Sequence, residues 1–360
     1  LHSERVDDLL FKFTMKTPHP LLALVPVMVL VGLLAIVIYL FGSDSLSGGS
    51  QIALLAGSAV CVAIAMAFCK VPWKAFEESI AKTIGSVSVT IFILLFVGML
   101  SGSWMVSGIV PTLIYYGVQI ISPQFFLVCT CFICAFVSLL SGSSWTTVAT
   151  IGVALLGISK ALGISEAWTA GAIISGAYFG DKMSPLSDTT ILASSATRTD
   201  LFVHIRYMLY TTIPTFIITS VIFLVAGFFT GRNSDVQVEQ YTQGLSSTFN
   251  ISLWTLIVPI LTGVLIVRRA PSAIILFSSA LMAGAVALIL QPHLLAQIAG
   301  SEQLNSPAAM IRGLAVTYYG STAIETGDAS LNDLVSTGGM AGMLDTIWLV
   351  LCAMCFGSVM

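Results

Sequence analysis

Charge is what this chain has least of. Its 360 residues hold 14 lysines and arginines, 17 aspartates and glutamates and four histidines; charged residues make up 9%, against 57% hydrophobic ones. Soluble domains carry about 25% charged residues, so a water-exposed globular fold is excluded. The scarcity of histidine also matters. Cys129-x-Cys131-x-x-Cys134 and Cys352-x-x-Cys355 have spacings seen in metal and redox sites, but no histidine accompanies them. Buried thiols behave as small hydrophobes, and that is how we read these seven cysteines. The chain also lacks a phosphate loop, a nucleophile triad and a zinc spacing. An enzyme is therefore not expected, nor a cofactor, nor a nucleic-acid partner. No cleavable leader is expected either, because the first charged segment contains Glu4, Asp7 and Asp8. The chain opens on Leu1, so its natural start is expected upstream.

Long apolar runs are what the chain has in abundance. Since roughly 20 apolar residues cross a bilayer, Leu21–Phe41, Ile52–Cys69, Val87–Val106, Tyr207–Phe229, Ala273–Leu290 and Met343–Val359 read as spans. Ile109–Ile121, Ala167–Phe179, Ile191–Leu201 and Leu253–Val267 are shorter. Phe125–Ile158 is too long for one crossing and is interrupted at Ser141-Gly-Ser-Ser144, so it predicts a broken helix or a hairpin entering and leaving on one side. About ten hydrophobic segments result, giving an all-α integral membrane protein with one transmembrane domain over residues 1–360. Pro214 predicts a kink. The stretch 291–341 is the least hydrophobic and reads as a loop with short helices, in which Asp328 and Asp333 belong to a solvated surface. Arg5, Lys12 and Lys16 precede the first span, and Lys70, Lys74 and Lys82 follow the second; the loops 42–50 and 230–252 carry only Arg232. The positive-inside rule then puts the N-terminus in the cytoplasm.

Within this apolar background stands Gly176-Ala-Tyr-Phe-Gly-Asp-Lys-Met-Ser-Pro-Leu-Ser-Asp-Thr-Thr190. Two carboxylates, a lysine and four hydroxyls are expensive in hydrocarbon unless they face a cavity, an ion or one another. Pro185 cannot continue a helix, and Gly176 and Gly180 are read as loosening the turn before it. Irregular backbone at membrane depth survives only when buried in protein or lining a wet site. Hydroxyls, carbonyls and carboxylates at such a break are ligands for a hard cation. We therefore read an ion site, with Ser184, Ser187, Thr189 and Thr190 as its hydroxyls.

A second polar insertion runs from Ser138 to Thr150, with seven hydroxyls in thirteen residues around Gly142. Any one of them would ordinarily bond back to its own helix. Their density points instead to Ser143, Ser144, Thr146 and Thr147 lining a cavity. Of the charged residues in the first motif, Lys182 can neutralise one aspartate, which leaves Asp181 or Asp188 to meet a cation or a proton. A desolvated carboxylate is where those two compete, and such competition is the least an exchanger needs. Lys182 could also release its own proton when the cation arrives. His204 reads as an interfacial histidine rather than a pH sensor.

Ser141-Gly-Ser-Ser-Trp-Thr-Thr147, Gly171 through Thr190, Thr199-Asp-Leu-Phe-Val-His-Ile205 and Gly338 through Trp348 closely resemble the NhaC-type sodium/proton antiporters. The resemblance implies a bacterial inner-membrane carrier, most members exchanging sodium for protons and some exchanging malate for lactate. It implies two inverted repeats with re-entrant hairpins, the first at about 84–206, and makes Asp181 and Asp188 the coupling candidates, with sodium and proton as substrates. A homodimer stays open. Where the family has Thr-Asn-Leu-Ala-Pro, this chain has Thr190-Ile-Leu-Ala-Ser194. The family also runs on beyond the point reached at Met360, so the second repeat is expected to be incomplete.

Overall fold

The computed structural model describes residues 20–120, 122–185, 187, 189–190, 193–194, 197, 199–230, 235–268, 270–300, 306–326, 331–332 and 335–360. Those residues are helical throughout, apart from turns and one isolated bridge between Thr322 and Thr337. Two compact units divide the chain. One comprises residues 1–94 with 343–360; the other comprises 95–342.

The first unit contains α1 (Pro20–Phe41), α2 (Gly49–Phe68), the first part of α3 (Trp73–Val106) and the closing helix α15 (Leu344–Val359). Gln51 ties it together. Its Oε1 accepts from Gly48 N at 3.0 Å, while its Nε2 donates to Leu46 O at 2.6 Å and Asp345 O at 3.3 Å. Leu21, Met28, Ile36 and Tyr39 of α1 are exposed, as befits a helix bathed in lipid rather than water.

The second unit holds α4 (Ile109–Ile120), α5 (Pro123–Ser141), α6 (Ser144–Thr147), a π-helical turn at Val148–Gly152, α7 (Val153–Ala161) and α8 (Glu166–Met183). It continues with α9 (Leu201–Thr230), α10 (Asp235–Thr248), α11 (Ile257–Val267), α12 (Ser272–Leu290), α13 (Pro292–Ile298) and α14 (Pro307–Tyr319). Gln291 clasps the turn before α11: Asn250 N donates to its Oε1 at 3.1 Å, and its Nε2 donates to Asn250 O at 3.1 Å. Gln291→Ala strands both backbone groups, so we expect a loss of about 1–3 kcal/mol, read as a lower unfolding temperature in detergent. An unchanged midpoint would show that the clasp is dispensable.

Among the described residues, seven helices are long and apolar enough to cross a membrane, or eight if the pair Thr242–Thr248 and Leu253–Val267, bent by 90°, counts as one span. That is fewer than the ten or so segments the sequence suggests. Ile109–Ile120 is only 12 residues long, and Ala167–Phe179 lies inside α8, which is too polar to qualify. Phe125–Ile158 is divided between α5 and the segments after its break. Pro214 sits inside an uninterrupted α9.

The direction of the elements around the polar motifs follows from their contacts. A β-carbon on Gly176 would lie 2.1 Å from Cys131 O, and one on Gly180 would lie 2.4 Å from Ala135 O. Both positions advance together, so α5 and α8 run parallel with backbones in contact, the arrangement that a small-xxx-small seam permits. Ser144 meets Asp181, whereas Gly152 meets Ile173; here one number rises as the other falls, so α6 and α7 run antiparallel to α8. The chain therefore reverses at Gly142–Ser143 and forms a helical hairpin. Gly142 takes φ +68° there, a left-handed conformation that glycine adopts without strain.

Two readings of the glycines and the break need correction. Gly176 and Gly180 do not loosen a turn: α8 runs through both to Met183, and their lack of a side chain serves the α5 seam. The break is also shorter than residues 184–190, because Thr189 and Thr190 are already helical again.

Candidate functional site

The hairpin tip and the end of α8 meet at one carboxylate. Ser144 Oγ donates to Asp181 Oδ2 at 2.9 Å, and Ser187 Oγ donates to Asp181 Oδ1. Ser187 Oγ also lies 2.8 Å from Thr189 Oγ1. A hydroxyl has one proton, and that of Ser187 is on Asp181, so Thr189 is the donor in this pair. Ser187 is fully buried, Asp181 is half-buried and Thr189 is exposed. A hydrogen-bonded line thus runs from an exposed hydroxyl to the carboxylate.

The local sequence dictates this geometry. Pro185 ends α8, and Ser184 turns extended at φ −79°, ψ 128° with its N–H on Gly180 O at 2.9 Å. The carbonyls left over at that helix end are caught by Thr190, whose Oγ1 donates to Asp181 O at 3.3 Å and Lys182 O at 3.2 Å. At the tip, Ser143 caps α6: its Oγ accepts from Thr146 N at 3.2 Å and from Thr146 Oγ1 at 3.1 Å. Thr147 Oγ1 donates to Ser143 O at 3.0 Å, and Thr150 Oγ1 donates to Thr146 O at 2.7 Å.

The candidate hydroxyls therefore divide by role. Ser144, Ser187 and Thr189 gather at Asp181. Ser143, Thr146, Thr147 and Thr190 hold the tip and the helix end in shape, the local back-bonding usual for such residues. Lys182 is exposed, and among the described residues the Asp181 carboxylate accepts from the hydroxyls of Ser144 and Ser187. Asp188, Arg198, Asp328 and Asp333 lie outside the described residues. His204 stands in the first turn of α9, its buried Nε2 without a hydrogen-bond partner among the described residues. Ser138 was seen in the sequence only as one hydroxyl among seven. It bridges the seam, donating to Ala177 O at 2.6 Å, and its spacing from Gly142 gave no hint of that. The seven cysteines are free, and no cluster of metal-binding side chains occurs among the described residues.

Residues 176–360, from the first glycine of the seam onward, match the model of the Na+/H+ antiporter family. The chain is 39% identical over 80% of its length to a malate-2H(+)/Na(+)-lactate antiporter of Bacillus subtilis, covering 58% of that protein. It is 39% identical over 83% of its length to the Na(+)/H(+) antiporter NhaC of Alkalihalophilus pseudofirmus, covering 62% of it. An arginine/ornithine antiporter, ArcD of Halobacterium salinarum, is 33% identical over 94% of the chain, which covers 66% of that relative. The chain spans about three fifths of the length of the first two of these relatives. No solved structure matches it. A multi-pass helical protein with a hydroxyl-ringed carboxylate at a helix break has the makings of an ion carrier. The chain belongs to the Na+/H+ antiporter family.

Proposed function

We propose that this protein exchanges sodium ions for protons across a bacterial inner membrane. The observation that carries the reading is the single carboxylate of Asp181, shared between hydroxyls from two separate breaks in the chain. Sodium is a hard cation that takes oxygen ligands, and carboxylate plus hydroxyl oxygens supply them. With sodium bound, Asp181 is ionised and Ser144 and Ser187 turn lone pairs toward the ion. With the ion gone, a proton takes its place on the carboxylate, and the line through Ser187 to Thr189 offers that proton a path to water. One carboxylate that holds either charge, never both, enforces exchange. The hairpin at Gly142 and the break at Pro185 are what one repeat of an inverted-repeat carrier contributes to its site; in that arrangement the hairpin is re-entrant. Lys70, Lys74 and Arg268 then mark the cytoplasmic side, and the N-terminus lies there too. Asp188 and Lys182 complete the proposed coupling group.

Sealed vesicles containing the protein and an internal pH dye test this reading. A sodium pulse should shift the internal pH and a potassium pulse should not; no sodium-dependent shift would end it. The similarity to a malate-2H(+)/Na(+)-lactate antiporter favours a second reading, exchange of small carboxylic acids with coupled ions. An organic anion calls for a positive partner at its carboxylate; the α6 N-terminus does lie at the site, but the full charge beside it is the negative one of Asp181. Adding malate outside and lactate inside separates the two, because sodium-proton exchange proceeds without either acid.

Ser144→Ala gives a finer test. It removes a hydrogen bond to a charged group, worth about 1.5–3 kcal/mol, so the sodium concentration for half-maximal flux should rise roughly tenfold to a hundredfold. The maximal flux should change less, since Asp181 remains. An unaltered half-saturation would remove the hairpin tip from the site.

A further inference from the structure

Between α5 and α11 the second unit carries an apolar groove of about 350 Å³. Val137 and Leu140 form one wall, and Ile260, Gly263 and Val264 form the other. The latter three share one helix face by their spacing. Ile260 is 64% exposed and Val264 47%. A β-carbon on Gly263 would meet nothing within 4 Å, so the missing side chain is what holds the groove open. Arg268, the C-cap of α11, is the one charged residue on the lining; it is exposed and has no ion pair among the described residues.

We propose that this groove seats an acyl chain of an anionic phospholipid, with the Arg268 guanidinium on the lipid phosphate. The charge pattern decides for this occupant. An aliphatic trough with a lone cation at its end matches a molecule with a long apolar tail and a negative head. A guanidinium engages phosphate with two parallel donors, and basic residues beside membrane helices draw anionic headgroups. A further peptide helix would fill the trough and leave the arginine unmatched. The groove matters because Leu140 stands two residues before Gly142, where the hairpin turns. A bound lipid would brace α5 next to the tip that reaches Asp181, whichever ion is carried.

The test uses the purified protein in nanodiscs of phosphatidylglycerol mixed with phosphatidylcholine, followed by detergent extraction and native mass spectrometry. The wild type should retain phosphatidylglycerol in clear excess over phosphatidylcholine, at one lipid per chain. Arg268→Gln should retain both lipids equally. Gly263→Leu should fill the trough and abolish retention, while Gly263→Ala, whose β-carbon meets nothing within 4 Å, should keep it and shows that the helix tolerates substitution there. A photoreactive side chain at Val264 should capture lipid. Equal retention of the two lipids by the wild type, undiminished retention in Gly263→Leu, or capture of protein at Val264 would each overturn the proposal.

Discussion

Replacing Asp181 with asparagine is expected to reduce sodium-driven proton movement to the level of protein-free vesicles, with membrane insertion unchanged. Asparagine has nearly the size of aspartate; its amide oxygen can still accept from one of the two serines, and its NH2 can donate to the hydroxyl of the other. The hairpin tip and the break are thus left in place, and only the ionisable group is lost. The same atoms that accept from Ser144 at 2.9 Å and from Ser187 in the native site would no longer bind a proton or neutralise a cation. Wild-type exchange in this variant would move the coupling role away from Asp181, with Asp188 the first alternative. The matching change at Ser187 separates binding from proton delivery. Ser187→Ala leaves the carboxylate charged but cuts its line to Thr189, so sodium affinity should fall less than the rate of proton release.

The second large effect is expected at the seam. A β-carbon on Gly176 would stand 2.1 Å from Cys131 O, and one on Gly180 would stand 2.4 Å from Ala135 O and 2.5 Å from Leu139 N. These are backbone atoms of a neighbouring helix, which cannot rotate aside as a side chain would. Even alanine must push α5 and α8 apart. Overpacking of this kind costs about 1–3 kcal/mol and occasionally more, and at two such positions the upper end applies. Gly176→Ala and Gly180→Ala should therefore lower the unfolding temperature sharply, and whatever folds should have lost the Ser144 contact. Gly32→Ala is the control, since nothing lies within 4 Å of a β-carbon there. Equal stability of all three variants would show that the helices part without penalty.

How far the sequence shows this can be judged residue by residue. The end of α8 was legible because Pro185 cannot donate a backbone hydrogen bond and its ring crowds the preceding turn. The interruption at Gly142 was legible because a run from Phe125 to Ile158 exceeds one crossing. Whether that interruption kinked a helix or reversed the chain was not. Reversal depends on which residues face which across space, and both outcomes share one hydrophobic pattern. The roles of the hydroxyls were illegible for a similar reason. Ser143 and Ser144 are adjacent and chemically identical, yet one caps a helix and the other reaches Asp181, a difference set by the extended backbone of Ser143. The glycines misled because glycine loosens a helix and also lets helices touch; only the neighbour across the seam tells which. The count of hydrophobic segments exceeds the count of crossing helices among the described residues where short apolar runs such as Ile109–Ile120 have composition enough but length too little.

The parallel pairing of α5 with α8 has a consequence for motion. Their main chains lie in van der Waals contact through Gly176 and Gly180, and Ser138 pins one to the other. Such an interface has no soft side-chain layer to slide on. The carboxylate rides on one partner and the turn leading to Ser144 on the other, so the two are carried as a single solid piece. A cycle that opens this site first to one side and then to the other must move that piece whole, against surroundings that stay still. Hinges would then be sought at its outer borders, near residues 107–108 and 162–165, and not at the tip that meets Asp181.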